Sequence, residues 1–255
     1  MGREMIQNST LKARQGLGEP RNIRVLQYYR IVDDRDHSRL HWSCTPLGIF
    51  RRHLELLERW GYTTITFNDY RLFRSGELNL PRKAVVLTFD GAYLENYTLM
   101  FPTLRKFGAN AVVFAHGDRN IKEDVWHREA GFPKAPLMND QHLLELNAAG
   151  VEVGSHTMTH PDLTSLAPEK ASEEIMRSRI LLEILLNAPV LSFAYPFGLM
   201  NRRIKHIVAE AGYSIACTIK SGSSIFGKDD LEVRRINMKN EGNALLCGLR
   251  LLASR

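Results

Sequence analysis

Residues 104–115 read LRKFGANAVVFA: apolar residues at helical spacing, a glycine at 108, then five apolar residues in a row. Gly108 stands where a helix needs a left-handed residue before the chain turns into a strand. The same unit of amphipathic helix, glycine and β-rich run recurs at 54–66 (LELLERWGYTTIT), 143–155 (LLELNAAGVEVGS) and 206–218 (HIVAEAGYSIACT), with Gly61, Gly150 and Gly212 in the corresponding place. Helices alternating with strands in this way imply a parallel sheet. Strand starts are expected near Ile23, Thr63, Ala84, Asn110, Val151, Val190 and Tyr213, with 232–237 a weaker eighth, and helices around 46–60, 93–107, 138–149, 168–187 and 200–211. About seven parallel strands in one domain predict an α/β fold, a distorted (β/α) barrel; an open doubly wound sheet is the alternative.

Working outward, residues 1–22 carry Gly16, Gly18 and Pro20 with little periodicity and read as an N-terminal arm, leaving 23–255 for the barrel. The last stretch, ALLCGLRLLASR at 244–255, is apolar enough to be a helix packed on it. An apolar share of 44% with 24% charged residues suits one sizeable core. The arm holds no apolar run of signal-peptide length, and nowhere do about 18 uncharged apolar residues run together, so the expectation is a cytoplasmic protein without a membrane span. Cys44, Cys217 and Cys247 form no CxxC pair, which argues against a disulfide framework or a thiolate zinc site. The net charge of +6 comes from scattered basic residues with no recognition-helix motif, and reads as a solvated surface without a nucleic-acid partner.

In a parallel α/β barrel the chemistry lies at the C-terminal ends of the strands, so the residues that follow each apolar run are the candidates. Asp90 follows VVLTF at 85–89, His116 follows VVFA at 112–115, and SHTMTH at 155–160 brings His156 and His160; Tyr195-Pro196-Phe197-Gly198 follows the run from Val190. If 156–160 is one helical turn, the two imidazoles point the same way, as two ligands of one metal need. A carboxylate closing an apolar run is costly unless paired, metal-bound or solvent-facing. The bland readings are a helix N-cap for Asp90, a solvated pair for the two histidines and a satisfied core or surface histidine for His116. Beside a metal, the backbone N–H of the turn at 196–198 can act as an oxyanion donor.

These motifs, in order, resemble the polysaccharide deacetylase family (carbohydrate esterase family 4), whose members include chitin, peptidoglycan and poly-N-acetylglucosamine deacetylases. TFDDGY of the family is matched by Thr88-Phe89-Asp90-Gly91-Ala92-Tyr93, SHTxxH by residues 155–160 and YPxG by residues 195–198; FRRHLELLERWGYTTIT at 50–66 also looks like the family's region ahead of the first motif. The resemblance implies a metal-dependent hydrolase that cleaves the amide of an N-acetylated saccharide or glycoconjugate. By position, His156 and His160 hold a divalent metal, zinc, Asp90 is the base that takes a proton from water, and Phe197 lends its N–H to the oxyanion. Three positions depart from the pattern: the second aspartate of TFDDG is Gly91, a common Tyr-His pair reads Tyr28-Tyr29, and no histidine follows His206. Asp90 as a third ligand then gives a two-histidine, one-carboxylate site, with His116, or less strongly His127, as substitute acid. Gly91→Asp is expected to tighten metal binding and raise hydrolysis unless position 91 has a positive φ or its space is already filled by another carboxylate or a water, and Asp90→Asn to abolish acetate release while leaving stability nearly unchanged. The competing readings are a degenerate barrel that binds saccharide without cleaving it, and a hydrolase of a different amide or imide.

Overall fold

The alternation read from the sequence is built almost element for element in the computed structural model, which describes residues 23–36, 41–124, 126, 134–219 and 229–238. In chain order the elements are β1 (Arg24–Tyr28), β2 (Arg30–Val32), β3 (Cys44–Pro46), α1 (Leu47–Arg59), β4 (Thr63–Ile65), α2 (Phe67–Arg74), β5 (Ala84–Asp90), α3 (Phe101–Phe107), β6 (Val112–Ala115), α4 (Asp140–Ala148), β7 (Glu152–Ser155), α5 (Pro168–Leu186), β8 (Ser192–Ala194), α6 (Arg202–Glu210), β9 (Ile215–Cys217) and β10 (Ile236–Asn237). Each of the seven expected strand starts is followed within two residues by a strand. Gly61, Gly108, Gly150 and Gly212 all take the positive φ that the turn into a strand requires.

All sheet pairings named here are parallel, in the order β10-β1-β5-β6-β7-β8-β9, with β4 as an eighth strand on β5. β4 covers the first half of one edge of β5 (Thr63 opposite Ala84) and β6 the second half (Thr88 opposite Val112). Strands β9 and β1 are joined by the segment that ends in β10: Val233 bridges to Cys217 and Ile236 pairs with Leu26. The sheet is therefore a curled, distorted (β/α) barrel, and the open doubly wound alternative is set aside.

Strand parity sorts the side chains. Val85, Leu87 and Phe89 join the cluster packed under α1, α4, α5 and α6, whereas Ala84 and Val86 join Val25, Val112, Phe114, Ala194, Ile215 and Cys217 on the inner face. Continuing that alternation to the strand ends directs Gln27, Thr88, Asp90, His116 and His156 into the barrel mouth. At Gly154 a Cβ would lie 2.6 Å from the Phe114 ring and from Ser192 Oγ, so glycine is what lets the Phe114 ring lie across β7.

Three features depart from expectation. The helix expected over 93–107 opens with a π-helical turn, Asn96–Met100, before α3. Helix α2 was not anticipated, although its capping box was present: Thr66 Oγ1 accepts from the Asp69 N–H and Asp69 from the Thr66 N–H. The β2–β3 pair is too short to show periodicity. The expected arm at 1–22, the apolar stretch at 244–255, His127 and Cys247 lie outside the described residues; Cys44 and Cys217 are buried free thiols. Among the described residues no helix is long and apolar enough to cross a membrane.

Candidate active site

At the mouth, the segment 156–160 brings its two histidines together by a route other than the helical turn expected. Thr157 and His160 both hold left-handed backbone, with φ of 68° and 63°. The Thr157 hydroxyl accepts the His160 N–H (2.9 Å) and donates to the His156 carbonyl, while α5 holds the loop through Glu174, which accepts from the Thr159 N–H (2.9 Å) and hydroxyl (2.8 Å). The i, i+4 spacing thus works through two left-handed residues and a clamp. The imidazole centroids of His156 and His160 are 4.7 Å apart, nearly perpendicular at 78°.

His116, from the end of β6, completes the group. One ring nitrogen from each of His116, His156 and His160 lies within 4.8 Å of the others, and all three residues are buried. His156 Nδ1 lies 2.7 Å from the Ala194 carbonyl, which can only accept, so Nδ1 carries the proton and Nε2 is left as a lone pair. Both ring nitrogens of His116 are buried without a hydrogen-bond partner. Burial pushes His116 well below the usual imidazole range, with repulsion from His156 and Arg119 adding to it; burial also lowers His156, against the pull of Asp90. Neutral, convergent imidazoles with an unsatisfied member form a donor set suited to a zinc-like divalent ion.

Asp90 sits beside this group in a different bond set. Its Oδ1 accepts from Arg235 Nη1 (2.7 Å), and its Oδ2 from Arg235 Nη2 (2.7 Å) and Gln27 Nε2 (2.8 Å). Arg235 is fully buried and also donates to the Thr218 carbonyl (3.0 Å) and Thr88 Oγ1 (3.1 Å). Burial alone would raise the Asp90 carboxyl, but the charge and hydrogen bonds of Arg235 outweigh it and hold the group ionised below its ordinary range. An ionised carboxylate offers about four acceptor positions; three are filled, and one remains for a water or substrate proton. The position beside His156 and His160 that the sequence reading gave to Asp90 is held by His116, and His116, read there as an acid, is grouped with the other two imidazoles.

The rim is aromatic. Phe197 stands edge-on to His160 with centroids 4.6 Å apart, on a turn where its own φ is 55°. The internal bonds of that turn come from the N–H groups of Gly198 and Leu199, to Tyr195 and Pro196. The Trp126 indole stacks on His160 (4.7 Å) and lies tilted over His116 (4.3 Å). The Tyr29 hydroxyl accepts from the same Gln27 Nε2 that bonds Asp90 (3.0 Å), and burial raises its pKa well above the tyrosine norm. Tyr28, its neighbour, is buried on the helix side, stacked on Phe89.

The polysaccharide deacetylase family model matches residues 77–216, more than half of the chain and all three motifs. The chain belongs to that family. Its barrel is that of a polysaccharide deacetylase-like hydrolase. It is 24% identical over 206 residues to YxkH of Bacillus subtilis (strain 168), whose name places it among the polysaccharide deacetylases, covering 81% of this chain and 67% of that one. It is 23% identical over 231 residues to the poly-β-1,6-N-acetyl-D-glucosamine N-deacetylase of Escherichia coli (strain K12), covering 78% of this chain but 34% of the relative. The chain thus spans about two thirds of the first protein and one third of the second. In fold it is similar to the Streptococcus pyogenes deacetylase PplD, solved in complex with acetate, with a TM-score of 0.77 and 23% identity over 92% of this chain and 98% of that one.

In this barrel a side chain at position 91, the place of the family's second aspartate, would require the Tyr93 ring to shift. Gly91 has φ +99°, and a Cβ there would lie 2.6 Å from Tyr93 Cε2. Gly91→Asp therefore meets strain and a ring, the condition under which tighter metal binding is not expected. Arg235, Gln27 and Trp126 were not singled out from the sequence. Arg235 had a signal, since a carboxylate ending an apolar strand demands a counter-ion, but it was hidden among basic residues read as a solvated surface. For Trp126 the sequence carries no periodic or motif cue.

Proposed function

We propose that this chain removes acetyl groups from an N-acetylated polysaccharide, hydrolysing the acetamide to acetate and a free amine. One observation carries the reading: a buried three-imidazole cluster, with unsatisfied nitrogens on His116, stands next to a carboxylate that Arg235 keeps ionised. Family membership supports the reaction class, and the relative that acts on poly-β-1,6-N-acetyl-D-glucosamine supports an N-acetylglucosamine polymer as substrate.

His116, His156 and His160 would hold the divalent ion, zinc by its preference for imidazole, and such an ion when bound polarises the acetyl carbonyl and makes a water more acidic. Asp90 takes the proton of the water whose oxygen adds to the acetyl carbon, using its one open acceptor position. Arg235 and Gln27 fix the carboxylate in place and keep it unprotonated between turnovers. As the C–N bond breaks, the proton held by Asp90 passes to the leaving nitrogen, so no second acid is needed to balance the reaction. The Phe197 N–H, outside the internal bonding of its turn, donates to the carbonyl oxygen as that atom gains negative charge.

The test is acetate release from β-1,4- and β-1,6-linked N-acetylglucosamine oligomers by zinc-loaded protein, with His156→Ala as control. Release that His156→Ala abolishes supports the proposal. Zinc binding without release from either oligomer would instead favour a barrel that holds saccharide without cleaving it.

A further inference from the structure

Beside the three histidines the last residue of the first motif, Tyr93, joins two residues that no motif marks, Asp124 and Trp126. The Tyr93 ring is fully buried and fills the space where a side chain at position 91 would begin. Its hydroxyl donates to Asp124 Oδ2 (3.3 Å) and accepts the Trp126 indole N–H (3.2 Å). Asp124 is itself tied twice to Ala135: its Oδ1 accepts the Ala135 N–H (2.8 Å), and its own N–H donates to the Ala135 carbonyl (2.9 Å). Trp126, held at its nitrogen, lies with its ring tilted 34° from His116 and 26° from His160. The chain of contacts runs from Gly91 through Tyr93 and Trp126 to two of the three imidazoles.

We propose that Trp126 is a positioning residue that sets the ring planes of His116 and His160, and that the Tyr93 ring which anchors it closes position 91 to a carboxylate. The inference rests on the reading that the three histidines hold a divalent ion. Its physical basis is that imidazole nitrogens converge only while their rings are kept from turning. His156 is fixed by the Ala194 carbonyl, but His116 has no hydrogen bond on either nitrogen. The indole face takes the place of the hydrogen-bonded partner that ligating histidines ordinarily have. Gly91, Tyr93 and Trp126 then form one device: a side chain at 91 displaces the Tyr93 ring, which releases the indole, which frees His116 to rotate and removes one wall from His160.

The experiment titrates the full-length apo protein with zinc by calorimetry and with Co2+ by visible absorption, which reads ligand geometry directly. Trp126→Leu is expected to weaken zinc binding by about ten- to a hundredfold, the range for lost partners of ligating residues, and to shift the Co2+ bands while far-UV circular dichroism stays unchanged. Trp126→Phe keeps a ring face and is expected to recover most of the affinity and the wild-type bands. Gly91→Asp is expected to bind zinc more weakly than wild type, and Gly91→Asp/Tyr93→Ala more tightly than Gly91→Asp alone, because the space is then open. Wild-type affinity and bands in Trp126→Leu, or tighter zinc in Gly91→Asp, would overturn the proposal while leaving the metal reading intact. A wild-type protein that binds neither ion would overturn both.

Discussion

Replacing Asp90 by asparagine removes one charge and keeps the shape, and a residue at a strand end near solvent would tolerate that with little change in stability. The buried pair with Arg235 reverses this expectation. Three N–H donors, two from Arg235 and one from Gln27, converge on the two carboxylate oxygens at 2.7–2.8 Å. An asparagine offers one oxygen; whichever way the amide is turned, its NH2 faces an N–H donor of Arg235. The guanidinium, fully buried, is left without its counter-ion. Charge centres roughly 4 Å apart at an effective dielectric of about 20 interact by about 4 kcal/mol, and breaking a buried pair from one side costs about 3–5 kcal/mol. Asp90→Asn should therefore lose about 3–5 kcal/mol by urea denaturation of the apo protein, a fall in Tm on the order of 10 °C for a domain of this size. Arg235→Met should lose a similar amount, and Asp90→Leu/Arg235→Met less than the sum of its single changes, because neither charge is then stranded. If Asp90→Asn lies within about 0.5 kcal/mol of wild type, the ion pair is not holding the mouth together and the reasoning fails.

Burial holds His53 at a pKa of about 4, with Nδ1 against Tyr28 Oη. The unfolded chain takes up that proton near pH 6.5 and the folded chain does not, so the contribution is intact above about 6.5 and is lost as pH falls towards 4, by about 2 kcal/mol at pH 5. Urea midpoints for wild type and His53→Gln between pH 5 and 7 should show the flatter slope in the variant, and equal slopes would remove His53 as the cause. Gly154→Ala places a methyl 2.6 Å from the Phe114 ring and should cost about 1–3 kcal/mol in thermal unfolding, since overpacking a filled barrel layer forces a shift. His116→Ala should reduce zinc affinity at least tenfold; a variant that binds as wild type while His156→Ala does not would return the third ligand position to Asp90.

The sequence announced the barrel because each helix–glycine–strand unit satisfies its own local rules, and residues 104–115 carry the helix spacing, the C-terminal glycine and the apolar strand within twelve positions. The candidate site was legible in part: strand ends singled out Asp90, His116, His156, His160 and Phe197, which the structure gathers at one mouth of the barrel. What those residues do to one another was not legible. Spacing suggested a helical turn at 156–160, where the structure has left-handed backbone at Thr157 and His160, and no local pattern foretells a turn fixed by Glu174 from another helix. Arg235 lies far along the chain from Asp90, and Trp126 in a segment without periodicity, so only the closed sheet and the packed mouth bring them into play. Gly91, read as a missing ligand, is also a residue with Tyr93 packed into its side-chain space.

Asp90 and Arg235 are separated by 145 positions. At a synthesis rate of about 5–20 residues per second, the strand bearing the carboxylate exists for roughly 7–30 s before its guanidinium is made. During that interval the acid needs water, so the interior around it has to stay hydrated and the sheet open at β1. When the segment 233–237 arrives it spans the seam between β9 and β1 and neutralises the interior in the same step. Nascent chains halted before residue 235 should therefore be loose, protease-sensitive sheets, and this hydrolase completes the ion pair at its mouth only when β10 is made.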